Sequence, residues 1–215
     1  MFKPSSREIP IEKQAATLLF IDVQNYNARR DGGEYVGMST TELNERFGYF
    51  FDIIERETIS NMQKIQTACR ASQIEVMYTV IESLTKDGRD RSLDYKITGF
   101  NVPRDSWDAQ VLEAIAPADD EIVLSKTSSS VFISTNIDYV LRNLGTRYLV
   151  VLGFLTDQCI ESAVRDACDL GYLVTLVTDA CATLSAERHQ NSLNAIKGYC
   201  RQITTQEFLN ELSAG

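Results

Sequence analysis

Short hydrophobic segments alternate with amphipathic ones along the chain. The short segments are rich in β-branched residues and predict buried parallel strands at 17–22, 75–80, 121–126, 148–153, 173–180 and 201–205. Apolar residues recurring at helical spacing predict helices over 60–72, over 136–143 and directly after Cys159. This alternation predicts an α/β fold, a three-layer α/β/α sandwich around a mostly parallel central sheet.

The length of 215 residues suits one domain, and residues 1–215 contain neither an internal repeat nor a Pro/Gly/Ser-rich linker. We therefore expect a single domain over 1–215. Residues 82–108 form the least periodic stretch, which predicts a long loop over one edge of the sheet. Loops of this length commonly shape a binding pocket, so we expect this one to influence substrate choice.

Charge and composition exclude several classes of partner. The net charge is −9 and no run of Lys or Arg occurs, which argues against binding to nucleic acid or to an anionic membrane. Apolar runs such as TLLFI are far shorter than the roughly 20 residues that a membrane span needs. The N-terminal segment lacks the apolar core of a secretory signal, which predicts a cytoplasmic protein.

The five cysteines do not form the patterns of a disulfide framework or of a zinc site. Their number is odd, no CxxC pair occurs, and the chain has one histidine, His189. Structural zinc requires four ligands at short paired spacings. We therefore expect neither a metal nor another cofactor, and four of the thiols are interpreted as packing or surface residues.

Three ionisable residues stand where predicted strands end. Asp22 ends the first strand, Lys126 ends the third, and Cys159 follows the fourth after the short turn FLTDQ. Ligands of open α/β sheets bind beyond the carboxyl ends of the strands, so these side chains should meet at one edge. Asp22 can accept and return a proton, and Cys159 can act as a nucleophile.

The predicted position of Cys159 suggests how its thiol becomes reactive. We expect it to be the first or second residue of its helix, where the helix dipole favours a thiolate. A neighbouring ammonium from Lys126 would lower the thiol pKa further. The sequence therefore predicts a sulfur ionised by its surroundings.

Several blocks of sequence resemble those of the isochorismatase-like cysteine hydrolases. They are LLFIDVQN at 18–25, WDAQVLEAIAP at 107–117, VLSKTSSSVF at 123–132 and the long block LVVLGFLTDQCIESAVRDACDLGYLVTLVTDACAT at 149–183. Their order and spacing match the family over about residues 15–185. The segments DVQN and CIESAVRD are similar to the branch of ureidoacrylate amidohydrolases and biuret hydrolases.

The resemblance implies a catalytic triad of Asp22, Lys126 and Cys159. It further implies oxyanion donors at the backbone N–H groups of Leu155 and Cys159, a non-proline cis peptide at Phe154–Leu155, and assembly into homodimers or homotetramers. Nicotinamidase-like members bind a metal through an Asp-x-His motif, but the equivalent stretch here, TVIES at 79–83, has no histidine. No metal is therefore expected.

These observations predict a cysteine-dependent amidohydrolase that cleaves the C–N bond of a small linear amide or ureido compound through a thioester. Side chains that could contact the substrate are Gln24, Asn25, Tyr26, Tyr35 and Phe132. Local hydrogen bonding or core packing are the competing interpretations for them.

Other functions remain open at this stage. Within the same superfamily these are a nicotinamidase-like activity and an N-carbamoyl amidase activity. A Cys–His hydrolase would use His189, and a catalytically silent interaction protein would keep the fold alone. A nucleotide-binding module is disfavoured, because neither GxGxxG nor GxxxxGK[ST] occurs.

Overall fold

A six-stranded, all-parallel sheet forms the centre of the protein. The computed structural model describes residues 6–214. The strands are β1 Ala16–Ile21, β2 Glu75–Ile81, β3 Ile122–Lys126, β4 Tyr148–Phe154, β5 Leu173–Ala182 and β6 Arg201–Ile203. They are ordered β3-β2-β1-β4-β5-β6, and every pair is parallel. The predicted α/β class and parallel sheet are confirmed.

Helices connect the strands and cover the sheet. They are α1 Asn25–Ala28, α2 Thr40–Ile53, α3 Ile59–Ala71, α4 Leu93–Thr98, α5 Val131–Ser134, α6 Ile137–Asn143, α7 Glu161–Asp169, α8 Ala186–Ile196 and α9 Thr205–Ala214. From β1 the chain moves outward to β2, whereas from β4 it moves in the opposite direction to β5. Right-handed crossovers therefore place α3 and α7 on opposite faces of the sheet, which gives three layers.

The central strands are buried along their whole length. Every residue of β1 and β4 is buried, as the near-continuous apolar runs in the sequence predict. β1 and β4 are also neighbours at the point where the strand order reverses. Ligand sites of open α/β sheets lie at this point, beyond the carboxyl ends of the strands.

Two regions differ from the predicted elements. Residues 40–71 form α2 and α3 joined by the π-helical turn Ile54–Thr58, whereas the sequence predicted a helix only over 60–72. The predicted loop 82–108 contains the short helix α4, which Ser92 caps by accepting a hydrogen bond from the Tyr95 amide. Within residues 6–214, no helix has the length and hydrophobicity that crossing a membrane requires.

Candidate active site

Asp22 lies directly after β1, where the chain leaves the sheet. Its backbone has a φ of +56°, in the left-handed region, and its amide donates to the Thr79 carbonyl at 2.9 Å. The carboxylate is fully buried. The end of β1 therefore holds an acidic group in the interior of the protein.

Lys126 is the last residue of β3, and its side chain contacts the Asp22 carboxylate. The Nζ atom lies 2.8 Å from Asp22 Oδ2 and donates to the Ser128 carbonyl at 2.8 Å and to the Tyr95 hydroxyl at 3.1 Å. Both members of the ion pair are buried. Buried ionised groups require such partners, and the ammonium has them on several sides.

Cys159 follows β4 and brings the third ionisable group to the same place. A cis peptide bond joins Phe154 to Leu155, as the resemblance predicted, and the π-helical turn Thr156–Ile160 then leads into α7. Lys126 Nζ lies 3.4 Å from Cys159 Sγ. Residues from β1, β3 and the turn after β4 thus meet around one ammonium.

The position of Cys159 in its helix differs from the prediction. Helical geometry begins at Thr156, so Cys159 is the fourth residue of the turn and not the first or second residue of the helix. The favourable field of the helix dipole is concentrated on the first unpaired amides. The sequence could not show this, because the apolar stripe that marks the helix begins only at Ile160.

Helix α8 supports the turn that carries Cys159. His189 Nδ1 and Thr156 Oγ1 are 2.9 Å apart, and Ser192 Oγ donates to the Thr156 carbonyl at 3.1 Å. Arg188 forms an ion pair with Asp157 of the same turn at 2.6 Å. His189 borders a separate cavity of about 140 Å³ that does not include Cys159, so the geometry does not favour a Cys–His hydrolase.

Burial dominates the electrostatics of the three groups. It raises the pKa of Asp22, an effect that the charge of Lys126 opposes. Burial alone would lower the pKa of Lys126, but the neighbouring acidic groups, Asp22 foremost, outweigh it and raise that pKa. Burial raises the pKa of Cys159 to about 12, although Lys126 acts in the opposite direction.

The raised pKa of Cys159 argues against the predicted ionised sulfur in the resting site. The Lys126 ammonium lies closer to Asp22 Oδ2, at 2.8 Å, than to Cys159 Sγ, at 3.4 Å, so the carboxylate is its nearer partner. Placing a second negative charge on Cys159 in the same buried volume is costly.

A cavity of about 300 Å³ opens onto Asp22 and Cys159. Its walls come from the ends of the strands, from the segment 27–34 and from the segment 94–100. The lining residues are Asp22, Asn27, Glu34, Ile81, Asp94, Tyr95, Thr98, Phe100, Ser129, Phe154, Leu155, Gln158 and Cys159. Leu155 and Cys159, whose backbone N–H groups were the predicted oxyanion donors, both border it.

The two predicted amide contacts, Gln24 and Asn25, do not line this cavity. Gln24 is fully buried, accepts a hydrogen bond from the Ile81 amide at 2.6 Å and donates to the Ile81 carbonyl at 2.9 Å. Asn25 donates to the Trp107 carbonyl at 2.9 Å. Both side-chain amides form hydrogen bonds to the backbone of other segments, which agrees with the competing interpretation of these residues as structural.

The three predicted aromatic contacts are also placed elsewhere. Tyr26 packs against Phe100, with ring centroids 5.8 Å apart, on the outer side of the cavity wall. Tyr35 is buried, and its hydroxyl donates to the Asn27 carbonyl at 2.6 Å. Phe132 packs towards Tyr172. These rings fill space between elements, which the sequence alone cannot distinguish from lining a pocket.

Sequence analysis missed the polar residues that do line the cavity. Tyr95, Asp94, Thr98 and Phe100 belong to the predicted loop 82–108, so the segment was identified but not its individual side chains. Glu34 gave no signal, since it lies in a short 3₁₀ turn between two glycines and a tyrosine. A larger surface depression of about 930 Å³ lies around Arg29, Trp107 and Glu113 and includes none of Asp22, Lys126 and Cys159.

Metal-ligating side chains do not cluster within residues 6–214: no group of three or more His, Cys, Asp or Glu residues is placed to hold an ion there. Asp22 and Glu34 both line the cavity but differ in their surroundings, because Asp22 is paired with Lys126. The arrangement places a buried thiol and a buried carboxylate beside the same ammonium, a geometry in which a proton can pass between the two acidic groups.

The fold and the site define a three-layer α/β protein with a buried cluster of Asp22, Lys126 and Cys159. The model of the isochorismatase domain matches residues 16–208, and the chain belongs to the isochorismatase family. The family assignment predicted from the sequence blocks is confirmed.

Curated relatives and solved structures extend this result. The chain is 29% identical to a ureidoacrylate amidohydrolase of Rhizobium rhizogenes, over 97% of this chain and 88% of the relative. It is 25% identical to a ureidoacrylate amidohydrolase of Acinetobacter baylyi, over 98% of this chain and 89% of the relative. The crystal structure of a cysteine hydrolase from Pseudomonas syringae pv. phaseolicola superposes with a TM-score of 0.82 at 25% identity, covering 100% of this chain and 99% of that one. These similarities support a hydrolase.

Proposed function

We propose that the protein is a cysteine-dependent amidohydrolase that cleaves a C–N bond of a small linear amide or ureido compound. One observation carries the proposal: Lys126 Nζ lies 2.8 Å from Asp22 Oδ2 and 3.4 Å from Cys159 Sγ. Similarity to ureidoacrylate amidohydrolases and to the fold of an N-carbamoylsarcosine amidase supports the choice of bond.

The reaction begins with transfer of the Cys159 proton to Asp22 as the sulfur attacks the carbonyl carbon. This transfer moves a negative charge from Asp22 to the sulfur while Lys126 stays beside both, so the net charge of the cluster does not change. The raised pKa of Cys159 is therefore no barrier, because a free thiolate does not have to accumulate first.

Breakdown of the tetrahedral intermediate breaks the C–N bond. The backbone N–H groups of Leu155 and Cys159 hold the oxyanion, and Asp22 returns its proton to the leaving nitrogen. An acyl or carbamoyl thioester on Cys159 remains. Water then attacks the thioester, Asp22 accepts the proton of that water, and the departing sulfur regains a proton as the acid product leaves.

Release of ammonia from a panel of compounds tests this proposal. The panel contains ureidoacrylate, biuret, N-carbamoyl amino acids, nicotinamide and maleamate. We expect turnover of at least one linear member, and mass spectrometry of quenched reactions should show an adduct on the peptide that contains Cys159. Activity on nicotinamide alone would instead favour the nicotinamidase-like alternative.

Two alanine variants separate the nucleophile from an ordinary buried thiol. Cys159→Ala should lower the rate by a factor of about 10⁴ or more, since a nucleophile and its base act as a unit. Cys181→Ala is the matched control, because Cys181 is also buried but borders the separate cavity beside His189. More than a tenth of the activity in Cys159→Ala would refute the assignment of the nucleophile.

A further inference from the structure

The cavity wall around Cys159 offers hydrogen-bond acceptors where a substrate would lie. Asn27, Glu34 and Asp94 all line it, and each carries a side-chain oxygen. Asp94 is exposed in the first turn of α4, which places it at the mouth of the cavity. These three residues are not part of the proposed reaction, so their chemistry bears on what the site binds.

Asn27 contributes a hydrogen-bond acceptor that has no donor among the described residues. The residue is only 7% exposed, it borders the cavity, and its Oδ1 atom is buried without a hydrogen-bond partner among the described residues. A buried acceptor left unpaired is costly, and in native proteins such groups usually have a partner. An N–H group of a bound ligand would supply the missing hydrogen bond.

Glu34 is held in place by both of its neighbours. The Gly33 amide donates to Asp108 Oδ1 at 2.9 Å, and the Tyr35 hydroxyl donates to the Asn27 carbonyl at 2.6 Å. A Cβ atom at Gly33 would overlap the Asp108 carboxylate, so the turn closes tightly only with glycine at this position. The fixed turn Gly33–Tyr35 therefore presents Glu34 to the cavity.

The carboxylate of Glu34 is without a charge partner of its own. Within the described part of the chain it forms no hydrogen bond and no ion pair. Burial raises the pKa of Glu34 to about 7, and the charge of Arg46 only partly opposes this. Arg46 itself pairs with Glu42 at 3.2 Å and lies over the Phe47 ring.

Positive charge is missing from the same wall. None of the described residues that line the cavity is a lysine, an arginine or a histidine. Lys126, the nearest ammonium in the site, is wholly buried and already engaged with Asp22, Ser128 and Tyr95. A substrate carboxylate would find no cationic partner and would face the negative charges of the wall, which is unfavourable in a partly buried site.

We propose that the site selects a substrate whose non-reacting end donates N–H hydrogen bonds and is neutral or positively charged, and that it discriminates against a carboxylate there. Glu34 and Asn27 are the specificity-determining residues, and Asp94 adds negative charge at the mouth. The inference rests on the proposed function, since it takes the cavity at Cys159 to be the place where the substrate binds.

Three compounds of similar length test the inference. N-carbamoylglycine ends in a carboxylate, N-carbamoylglycinamide in a neutral amide and (2-aminoethyl)urea in an ammonium, and all three contain the same ureido group. We expect kcat/KM for the carboxylate to be at least about tenfold lower than for either of the others, which corresponds to about 1.4 kcal/mol. A carboxylate preferred by the unaltered protein would overturn the inference, while Cys159-dependent turnover of that compound would leave the proposed function standing.

Substitutions at Glu34 show whether it causes the preference. In Glu34→Gln, kcat/KM for the ammonium compound should fall about five- to tenfold relative to the neutral amide, and the carboxylate should gain relative to both. Glu45→Gln is the control, because Glu45 is exposed on α2 and does not line the cavity. Ratios are compared within each variant, so a change in the folded fraction cancels.

Two outcomes would count against the inference. Unchanged ratios in Glu34→Gln would show that Glu34 does not determine specificity. Failure of all three ureido compounds would overturn the inference as well, and ammonia release from other members of the amide panel would then decide the proposed function separately.

Discussion

Two carboxyl groups that line the cavity, those of the fully buried Asp22 and the half-buried Glu34, differ in how their charge is balanced. Asp22 lies 2.8 Å from the Lys126 ammonium and next to Cys159, so proton and charge can move within a neutral set of groups. Glu34 lines the same cavity, but within residues 6–214 it forms neither a hydrogen bond nor an ion pair. Burial raises the pKa of both groups, yet only one of them has a built-in counterion.

We interpret this difference as a division of roles, with Asp22 serving the proposed reaction and Glu34 serving substrate recognition. In the proposed reaction the carboxylate that accepts the thiol proton has to be held beside that thiol before substrate arrives. The ion pair with Lys126 holds Asp22 in this position. A carboxylate that recognises substrate remains unpaired until the substrate supplies the partner. The contrast predicts that changes at Asp22 and Lys126 reduce catalysis or stability, whereas removal of the Glu34 charge increases stability.

The largest effect on this comparison should come from Asp22→Asn. The amide keeps the shape of the side chain but cannot accept the thiol proton, so we expect kcat to fall by a factor of about 10² to 10⁴. The rate of ammonia release per folded molecule, with the folded fraction measured by circular dichroism, checks this. Asp179→Asn is the control, because Asp179 accepts from the Thr205 amide at the start of α9 and borders the other cavity. A loss of less than fivefold in Asp22→Asn would contradict the role of proton acceptor.

Removal of the ammonium should be the next largest effect, and it acts on stability. Lys126→Met leaves Asp22 buried without its counterion, and losing one member of a buried pair costs about 3–5 kcal/mol. The double variant Asp22→Asn/Lys126→Met removes both charges and should be more stable than the sum of the single losses predicts, by about 1–2 kcal/mol or more. Urea unfolding of the four proteins measures this coupling.

Additive stability losses in this double-mutant cycle would contradict the comparison between Asp22 and Glu34. Additive losses would mean that Asp22 and Lys126 do not stabilise each other, although their atoms are 2.8 Å apart. Activity in the double variant should stay as low as in Asp22→Asn, because neutralising the pair restores packing but supplies no proton acceptor. Recovered activity would therefore also contradict the proposed mechanism.

Asp22, the paired carboxylate, could be found from the sequence because it stands where a predicted strand ends. Strand boundaries were predicted within two residues, and residues that end parallel strands must meet at one edge of the sheet. Asp22 and Lys126 come from strand ends, and Cys159 comes from the turn after β4. Local hydrophobic runs therefore carried enough information to bring three distant positions together.

The unpaired group was not accessible in this way. Glu34 lies in a short 3₁₀ turn and Asn27 in the four-residue helix α1, and their place in the cavity wall depends on tertiary contacts such as that of the Gly33 amide with Asp108. The prediction of an ionised Cys159, which the raised thiol pKa argues against, has a related origin. Sequence spacing indicated the attractive charge of Lys126, but the desolvation that raises the thiol pKa to about 12 is a property of the packed structure.

The smallest effect should be the stability gain in Glu34→Gln, which follows from the sign of the pKa shift. Folding raises the pKa of Glu34 from 4.5 to about 7, so the folded protein binds its proton more tightly than the unfolded chain does. Below about pH 4.5 the group is protonated in both states and costs nothing, and as the pH rises to about 7 the folded state loses stability. Glutamine has no charge to bury, so the variant should gain about 1–2 kcal/mol at pH 8 and almost nothing at pH 4. Urea unfolding at the two pH values, with Glu45→Gln as control, measures the gain. A gain that is equal at both pH values would show that Glu34 pays no penalty for its charge, and the contrast with Asp22 would then have to rest on geometry alone.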